Sequence, residues 1–289
     1  MDNAVIKDYK KTVKRKNVTE YVVRYAVSVV LLAILLFPYL FMVSKSFMSI
    51  TDINASVIKL FPSKPTFRNY IQLADYFKYF FNSFIVVIIN AVFVPLTSCF
   101  VAYPLARARF KGRNGIFALI LATSMIPSSV LQVPQYILFR DFGLYDKLAS
   151  QFIGAFFGGS GMQIFLIVQF MRALPKEFDN AARIDGANLW QIFWKIMMPL
   201  CFNVCVYIGI GMAIAKWNDF QGPLIYLKSD AKFTVAVAFY YHFGASGDAS
   251  LLTNVKMAMA VCMTIFPAIL FFCFQKQMIG GVKIGGIKG

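Results

Sequence analysis

At 289 residues, 59% hydrophobic and only 15% charged, with a mean hydropathy of +0.64, the chain is too apolar for an ordinary water-soluble domain. Its formal net charge of +16 points to membrane orientation and not to nucleic acid, because the basic residues lie between apolar runs and no nucleic-acid motif accompanies them. The composition is that of an integral membrane protein.

Residues 1–24 form a basic, polar segment, and the apolar run after it has full spanning length and no small-residue cleavage site, which argues against a secretory signal. Six stretches free of Asp, Glu, Lys and Arg are long enough to cross a bilayer, which takes about 20 apolar residues. They are 25–44, 79–106, 114–139, 148–171, 196–215 and 257–275, and together they make 25–275 one six-span domain, followed by a tail at 276–289. Helices are the expected spanning form, since the alternation of a transmembrane barrel strand is absent and backbone groups in lipid must be satisfied within the segment. An even number of spans puts both termini on one side. If that side is the cytoplasm, 18 of the 29 Lys and Arg residues fall inside, the distribution that the positive-inside rule favours.

Two spans carry helix breakers. The third has Pro127 and Pro134 with Gln132 between them, and the fourth has Gly158, Gly159, Ser160 and Gly161 followed by Gln163. Polar groups beside kinks line a cavity or else mark packing contacts between small residues, and both readings stay open. Gln132, Gln163 and Asn203 are the candidate contacts along a substrate path. Between the last two spans, 216–256 is a long loop with a glycine-rich tip at 243–247, either functional or flexible filler.

Between spans four and five the segment 172–199 is expected in the cytoplasm, and within it Pro175 to Pro199 is the longest amphipathic stretch in the chain. Proline in a first turn, followed by Glu177 and Asp179 near the positive end of the helix dipole, predicts a helix start. Asp179 and Arg183 have the spacing and order of a helical ion pair, and Gly186 predicts a bend that ends this helix near Asp185. Leu189, Ile192, Phe193, Ile196 and Met197 then recur on one face of a second helix, and Trp190 and Trp194 are of the type that settles at a headgroup boundary.

Enzyme chemistry is hard to place. There is no phosphate-cradling GxxxxGK[ST] loop, no metal-ligand spacing and no nucleophile–base arrangement. The lone histidine, His242, lies in an aromatic stretch that suits boundary packing, and the five cysteines lie in or beside apolar segments as small packing residues. A six-span bundle of this kind, if it pumps, needs an energy source from outside the chain.

The stretch from Glu177 to Pro199 resembles the EAA loop of permease subunits of bacterial ATP-binding-cassette importers, with Ala181, Ala182, Asp185, Gly186, Ala187 and Pro199 matching the pattern. Along most of the chain an ordered series is similar to the carbohydrate branch, the maltose-transport-like inner subunit: Asn69–Tyr70, Asn82–Ser83, Tyr103, Ala106–Arg107, Phe110 to Gly112, Pro127, Gly143–Leu144, Trp217 to Phe220, Pro223–Leu224 and Lys288–Gly289. One position departs, since Asn180 stands where the motif has its glutamate, so a neutral hydrogen bond would replace an ion pair.

The resemblance implies an all-α six-span fold of the type I importer permease, with a coupling-helix pair that docks on a separate ATPase dimer. It implies coupling through Glu177, Asn180, Ala181, Ala182, Asp185, Gly186 and Ala187, and tail contacts to the ATPase through Lys283 and Lys288. It further implies a second homologous permease, an extracytoplasmic solute-binding protein and a bacterial plasma membrane location. This chain is expected to hold no cofactor, with ATP and Mg bound by the partner ATPase. The competing expectations are a stand-alone carrier or channel, with the amphipathic stretch merely interfacial, and an importer permease for a solute other than sugar.

Overall fold

The computed structural model describes residues 3–55, 57–244 and 253–285, with side chains described from 20 to 277 within those limits. Lys288 lies outside the described residues, as does the side chain of Lys283, whose backbone is helical. Among the described residues there is no strand, and the fold is all-helical as expected. Four helical stretches are long and apolar enough to cross a membrane, and six crossings result if each of two bent pairs counts as one.

Those bends have identifiable causes. The third expected crossing divides into α5 (Arg113–Thr123) and α6 (Ser128–Asp141), bent by 95° where Pro127 caps the second helix. The fifth divides at Cys201, where a helical run over 189–200 meets Phe202–Trp217 at 69°. Just ahead of that corner Met198 N–H donates to Phe193 O, the wider spacing of a π turn, one residue before Pro199, which has no N–H to give.

The described residues divide into two compact units. The first holds 3–73 with 253–261. Its long helix α1 (Asn3–Ser46) contains Pro38 and leaves its apolar side chains exposed from Tyr21 to Leu40. That is the surface of a lipid-facing span. After it come two single turns, α2 (Ile50–Ile53) and α3 (Arg68–Ile71). Buried Asn69 clamps this region, donating to Ser46 O at 2.8 Å and Met48 O at 2.9 Å and accepting from Asn254 Nδ2 at 2.7 Å. Asp52 accepts from Lys59 Nζ at 2.6 Å and from the Ser63 hydroxyl at 2.8 Å, and these bonds hold its carboxyl down to about 2.

The second unit holds 74–244 with 262–285 and is built on α4 (Phe77–Arg107). Against it pack α7 (Gly161–Ala173) and α11 (Phe202–Trp217), through a core that includes Val94, Cys99, Ala102, Ile167, Val168, Met171, Val204 and Ile208. A Cβ at Gly209 would lie 2.7 Å from Ala91 O, so α4 and α11 meet backbone to backbone, as small residues allow in membrane helices. Cys99 and Cys201 are fully buried there, and among the described residues every cysteine is free. The glycine cluster interrupts the helix within the candidate span Ile153–Ala173. Gly158 and Gly159 take positive φ, and the chain re-enters helix only at Gly161, where Ser160 N–H donates to Gln163 Oε1 at 3.2 Å.

The bent loop between α7 and α11 consists of α8 (Glu177–Ile184), α9 (Leu189–Ile192) and the short turn α10 (Met198–Leu200), with α12 (Gln221–Tyr226) and α13 (Val235–Phe243) at the opposite end of α4. The last helix, α14 (Thr253–Gly285), shares residues with both units.

Candidate functional site

The chemistry of the second unit gathers at three places along α4. At its Arg107 end, α8 begins after Lys176, so Pro175 precedes the helix and does not sit in its first turn. Eight residues make only two turns, too few to persist alone, and tertiary contacts must hold them. Asp179 and Ala182 supply these contacts, at 8% and 7% exposure, one turn apart on the inner face. Asp179 pairs with Arg107 of α4 at 3.4 Å and not with Arg183, the partner its spacing predicts, because burying the carboxylate on the inner face turns it away from the exposed guanidinium. This ion pair is buried yet incompletely bonded: Arg107 Nε and Nη2 and Asp179 Oδ1 have no hydrogen-bond partner.

The expected bend is present. Gly186 has φ +79 with nothing within 4 Å of where a Cβ would stand, so glycine is required by the backbone and not by crowding. Beyond it Asn188 caps α9, accepting from Gln191 N–H at 2.9 Å while Gln191 Oε1 accepts from Asn188 N–H at 2.8 Å. The predicted apolar face is buried at Ile192, Phe193 and Met197, but Leu189 in the first turn is exposed.

The coupling candidates therefore divide. Glu177, Asn180, Ala181, Asp185 and Gly186 are exposed, whereas Ala182 belongs to the chain's own core and Ala187 packs against it. Those two alanines bring α8 close to the bundle and do not offer close approach to a partner. Sequence reasoning passed over Phe178 and Ile184, which stand in solvent at 44% and 87% exposure. Their signal was available: two large apolar residues flanking a motif otherwise made of charged and small ones.

Midway along α4 a cavity of about 670 Å³ is lined by Asn90, Gln135, Gln151, Gln163 and Lys216, with Phe139 and Phe157 among the apolar walls. Of the three path candidates only Gln163 lines it; Gln132 and Asn203 do not. The amides are held in place. Asn90 Nδ2 donates to Val86 O at 2.8 Å and Gln151 O at 3.2 Å, and Gln135 Oε1 accepts from the Tyr226 hydroxyl at 3.1 Å. Lys216 ends α11 inside this lining, and Asp219 at 3.0 Å neutralises it. Asn90 and Gln135 sit in charge-free apolar runs, where a lone amide is the signal that a cavity is near.

At the Phe77 end two carboxylates organise the loops. Asp146, itself at φ +54, accepts from Lys228 N–H at 2.9 Å, Ser229 N–H at 2.8 Å and Lys232 Nζ at 2.9 Å, as well as from the Ser229 hydroxyl. Burial opposes its ionisation, but these hydrogen bonds prevail and hold the carboxyl well below the usual range. Asp230 accepts from Lys78 at 2.8 Å and from Tyr79 at 2.7 Å, with His242 Nε2 at 3.0 Å, and these bonds likewise outweigh burial and lower its pKa. His242 thus joins a polar cluster, beyond the aromatic packing expected of it. Among the described residues no group of His, Cys, Asp and Glu could hold a metal ion.

Comparison with known proteins places this geometry. The chain is 35% identical over 269 residues to the arabinooligosaccharides transport system permease protein AraQ of Halalkalibacterium halodurans, covering 89% of this chain and 92% of that one. It is 30% identical over 236 residues to the melibiose/raffinose/stachyose import permease protein MelC of Bacillus subtilis, covering 80% and 84%. A chain in the crystal structure of a bacterial ABC transporter involved in the import of the acidic polysaccharide alginate has the same fold, with a TM-score of 0.78 at 22% identity over 91% of this chain and 97% of that one. Residues 94–283, which hold the α7 and α11 parts of the core, the 172–199 segment and every cavity amide but Asn90, match the binding-protein-dependent transport system inner membrane component, and the chain is a multi-pass membrane transport component of that family.

Proposed function

We propose that this chain is a permease subunit of an ATP-driven importer and that, with a second homologous permease, it forms the alternating-access path for a sugar or oligosaccharide. The observation that carries the coupling role is the exposed side of α8. A two-turn helix fixed to the bundle through Asp179 and Ala182 leaves Ile184, Phe178, Asn180 and Ala181 in solvent, a surface suited to a groove on another subunit. In this reading an ATPase dimer binds ATP and Mg and moves α8, and the bend at Gly186 passes that motion to α9 and α11. Asn180 makes a neutral hydrogen bond to the ATPase in place of the motif's ion pair, and the tail with Lys283 and Lys288 reaches the same partner. Both termini are cytoplasmic.

A solute-binding protein delivers the solute on the opposite side, consistent with the family description and with a fold neighbour that was crystallised with a pentasaccharide-bound periplasmic protein. The saccharide class rests on relatives named for arabinooligosaccharides and for melibiose, raffinose and stachyose. The cavity agrees with them: fixed amides that can bond hydroxyls, aromatic walls, and a lysine already neutralised suit a neutral polyhydroxylated solute.

The test is reconstitution of the chain with its second permease, ATPase and binding protein in proteoliposomes. Uptake of labelled arabino- or galacto-oligosaccharides should require ATP and loaded binding protein. Uptake by this chain alone, without ATP, would establish the stand-alone carrier instead.

A further inference from the structure

Taking the saccharide reading above as its basis, we infer that Asn90 and Gln151 are the residues with which this chain itself reads its solute: their amide oxygens accept hydroxyl protons of a neutral sugar ring, and the cavity they line excludes uronic acids. Both side chains are buried, at 3% and 5% exposure, yet both line the cavity of about 670 Å³ midway along α4. Their orientations are fixed by chemistry. Asn90 Nδ2 donates to two backbone carbonyls, Val86 O and Gln151 O, which take only N–H, so its oxygen is turned the other way. The Ser150 hydroxyl gives its one proton to Lys147 O at 2.8 Å, so toward Gln151 it can only accept; Gln151 donates Nε2 to it at 2.9 Å and leaves Oε1 free. Among the described residues neither amide oxygen accepts a hydrogen bond. Neither is sealed, since the buried side-chain polar atoms without a partner are Arg107 Nε and Nη2, Asp179 Oδ1 and Thr234 Oγ1. Two acceptors in a largely buried setting are costly without a donor, and a hydroxyl entering the cavity removes the cost.

The rest of the lining selects among donors. A cation would also satisfy two carbonyl oxygens, but the Lys216 ammonium lines the same cavity and Asp219 at 3.0 Å only balances it, so no net negative charge is left to hold one. Gln163 supplies the opposite polarity. Its Oε1 accepts from Ser160 N–H at 3.2 Å, and its Nε2 reaches the weakly accepting Met212 Sδ at 3.5 Å, so its N–H groups remain available. Free acceptors on one pair of residues and a free donor on another suit a group that donates and accepts at once, as a sugar hydroxyl does. A carboxylate only accepts. Asp219 adds negative charge on the acceptor side, since a Cβ on Gly222 would stand 3.2 Å from Gln151 Oε1 and 3.1 Å from Asp219 Oδ2. A uronic acid entering here would lose its hydration and gain no counter-charge, because the lysine is already balanced. Phe139 and Phe157 give the C–H face of a ring an apolar wall, and the volume lies inside the roughly 300–1,000 Å³ of ordinary ligand pockets.

The experiment titrates the full chain in nanodiscs with raffinose as the neutral probe and trigalacturonic acid as the acidic one, read by saturation-transfer difference NMR. Raffinose should show saturation transfer and the acid none. Gln151→Met, close in volume but without the oxygen, should weaken raffinose about tenfold, the effect of one hydrogen bond, with the thermal midpoint within a few degrees of wild type. Asp219→Asn frees the Lys216 ammonium in the lining and should admit trigalacturonic acid about tenfold better than wild type, a gain that misfolding cannot produce. Absence of raffinose binding to the wild-type chain overturns the proposal. So does equal binding of the acid, unchanged raffinose affinity in Gln151→Met, or continued exclusion of the acid by Asp219→Asn. Uptake by the assembled transporter separates the two readings: ATP-driven saccharide uptake without sugar binding to this chain removes the contacts and keeps the importer, whereas binding without uptake keeps the contacts and removes the importer.

Discussion

The two ends of α4 are secured in different ways. At the Phe77 end, Asp146 and Asp230 each accept three or more hydrogen bonds, and buried Asn82 and Ser83 fasten the same loops, with Asn82 Nδ2 donating to Ala231 O at 2.9 Å and Ser83 Oγ accepting from Val235 N–H at 2.8 Å. At the Arg107 end, α8 is held by one long ion pair with unfilled valences and by Ala182, and the segment after it by Phe193 against Phe100 and Tyr103. Multiple directional bonds fix one geometry, whereas apolar contacts around a lone ion pair allow a short helix to tilt at modest cost. This asymmetry suits the proposed coupling role, in which α8 is moved while the Phe77 end keeps its shape.

The largest expected effect breaks the sparse end. Arg107→Leu leaves Asp179 buried without a counter-charge and should cost about 3–5 kcal/mol, read as a large drop in the thermal midpoint of the purified chain. The double change Arg107→Met with Asp179→Leu should recover most of that loss, since an apolar pair can replace a buried ion pair. If the double variant melts as low as the single one, the ion pair does more than balance charge.

Asp146→Ala tests the dense end and should cost less, about 2–3 kcal/mol, because the donors it abandons on Lys228, Ser229 and Lys232 are partly exposed and can turn to water. The same carboxylate gives a pH signature. Its pKa is lower folded than unfolded, so its contribution is present above about pH 4 and is lost as the pH falls through the folded value. Asp52 behaves alike in the first unit, losing its contribution between about pH 4 and about 2. Asp146→Asn should flatten the acid limb of a stability–pH curve. An unchanged limb would show that other carboxylates govern it.

Gly186→Val should cost about 1–2 kcal/mol, a backbone penalty alone, given the open space around the missing Cβ. It should nevertheless abolish coupled uptake in the assembled transporter, with Gly186→Asn retaining more because asparagine tolerates positive φ. Normal uptake by the valine variant would remove the bend from the mechanism. The smallest effect is expected for Asn180→Glu, exposed and moving toward the family motif: within about 0.5 kcal/mol on stability, with coupling retained. Failure of this variant to assemble with the ATPase would place the docking surface elsewhere on α8.

Much of this was legible in the residues. The bend at Gly186 follows from a glycine after an amphipathic turn, because backbone conformational freedom is a local property. The cap at Asn188 was equally open to view, as asparagine three residues before glutamine. The cavity amides were less visible. Gln163 drew notice beside the glycine cluster, but Asn90, Gln135 and Gln151 lie far apart in sequence, and only packing brings them to one wall.

By itself, then, the sequence determined that the chain is a helical membrane protein, that its family motif lies in an amphipathic loop, and that the loop bends at a glycine. These follow from composition, periodicity and local backbone preference. Tertiary structure alone decided that Asp179 turns from Arg183 to Arg107, that Ala182 and Ala187 face the chain's own core, and that the fifth expected crossing bends at Cys201. Spacing states which residues can meet along one helix. Which of them do meet depends on the competing neighbour that another helix brings, and a buried carboxylate pairs with the cation that is buried beside it.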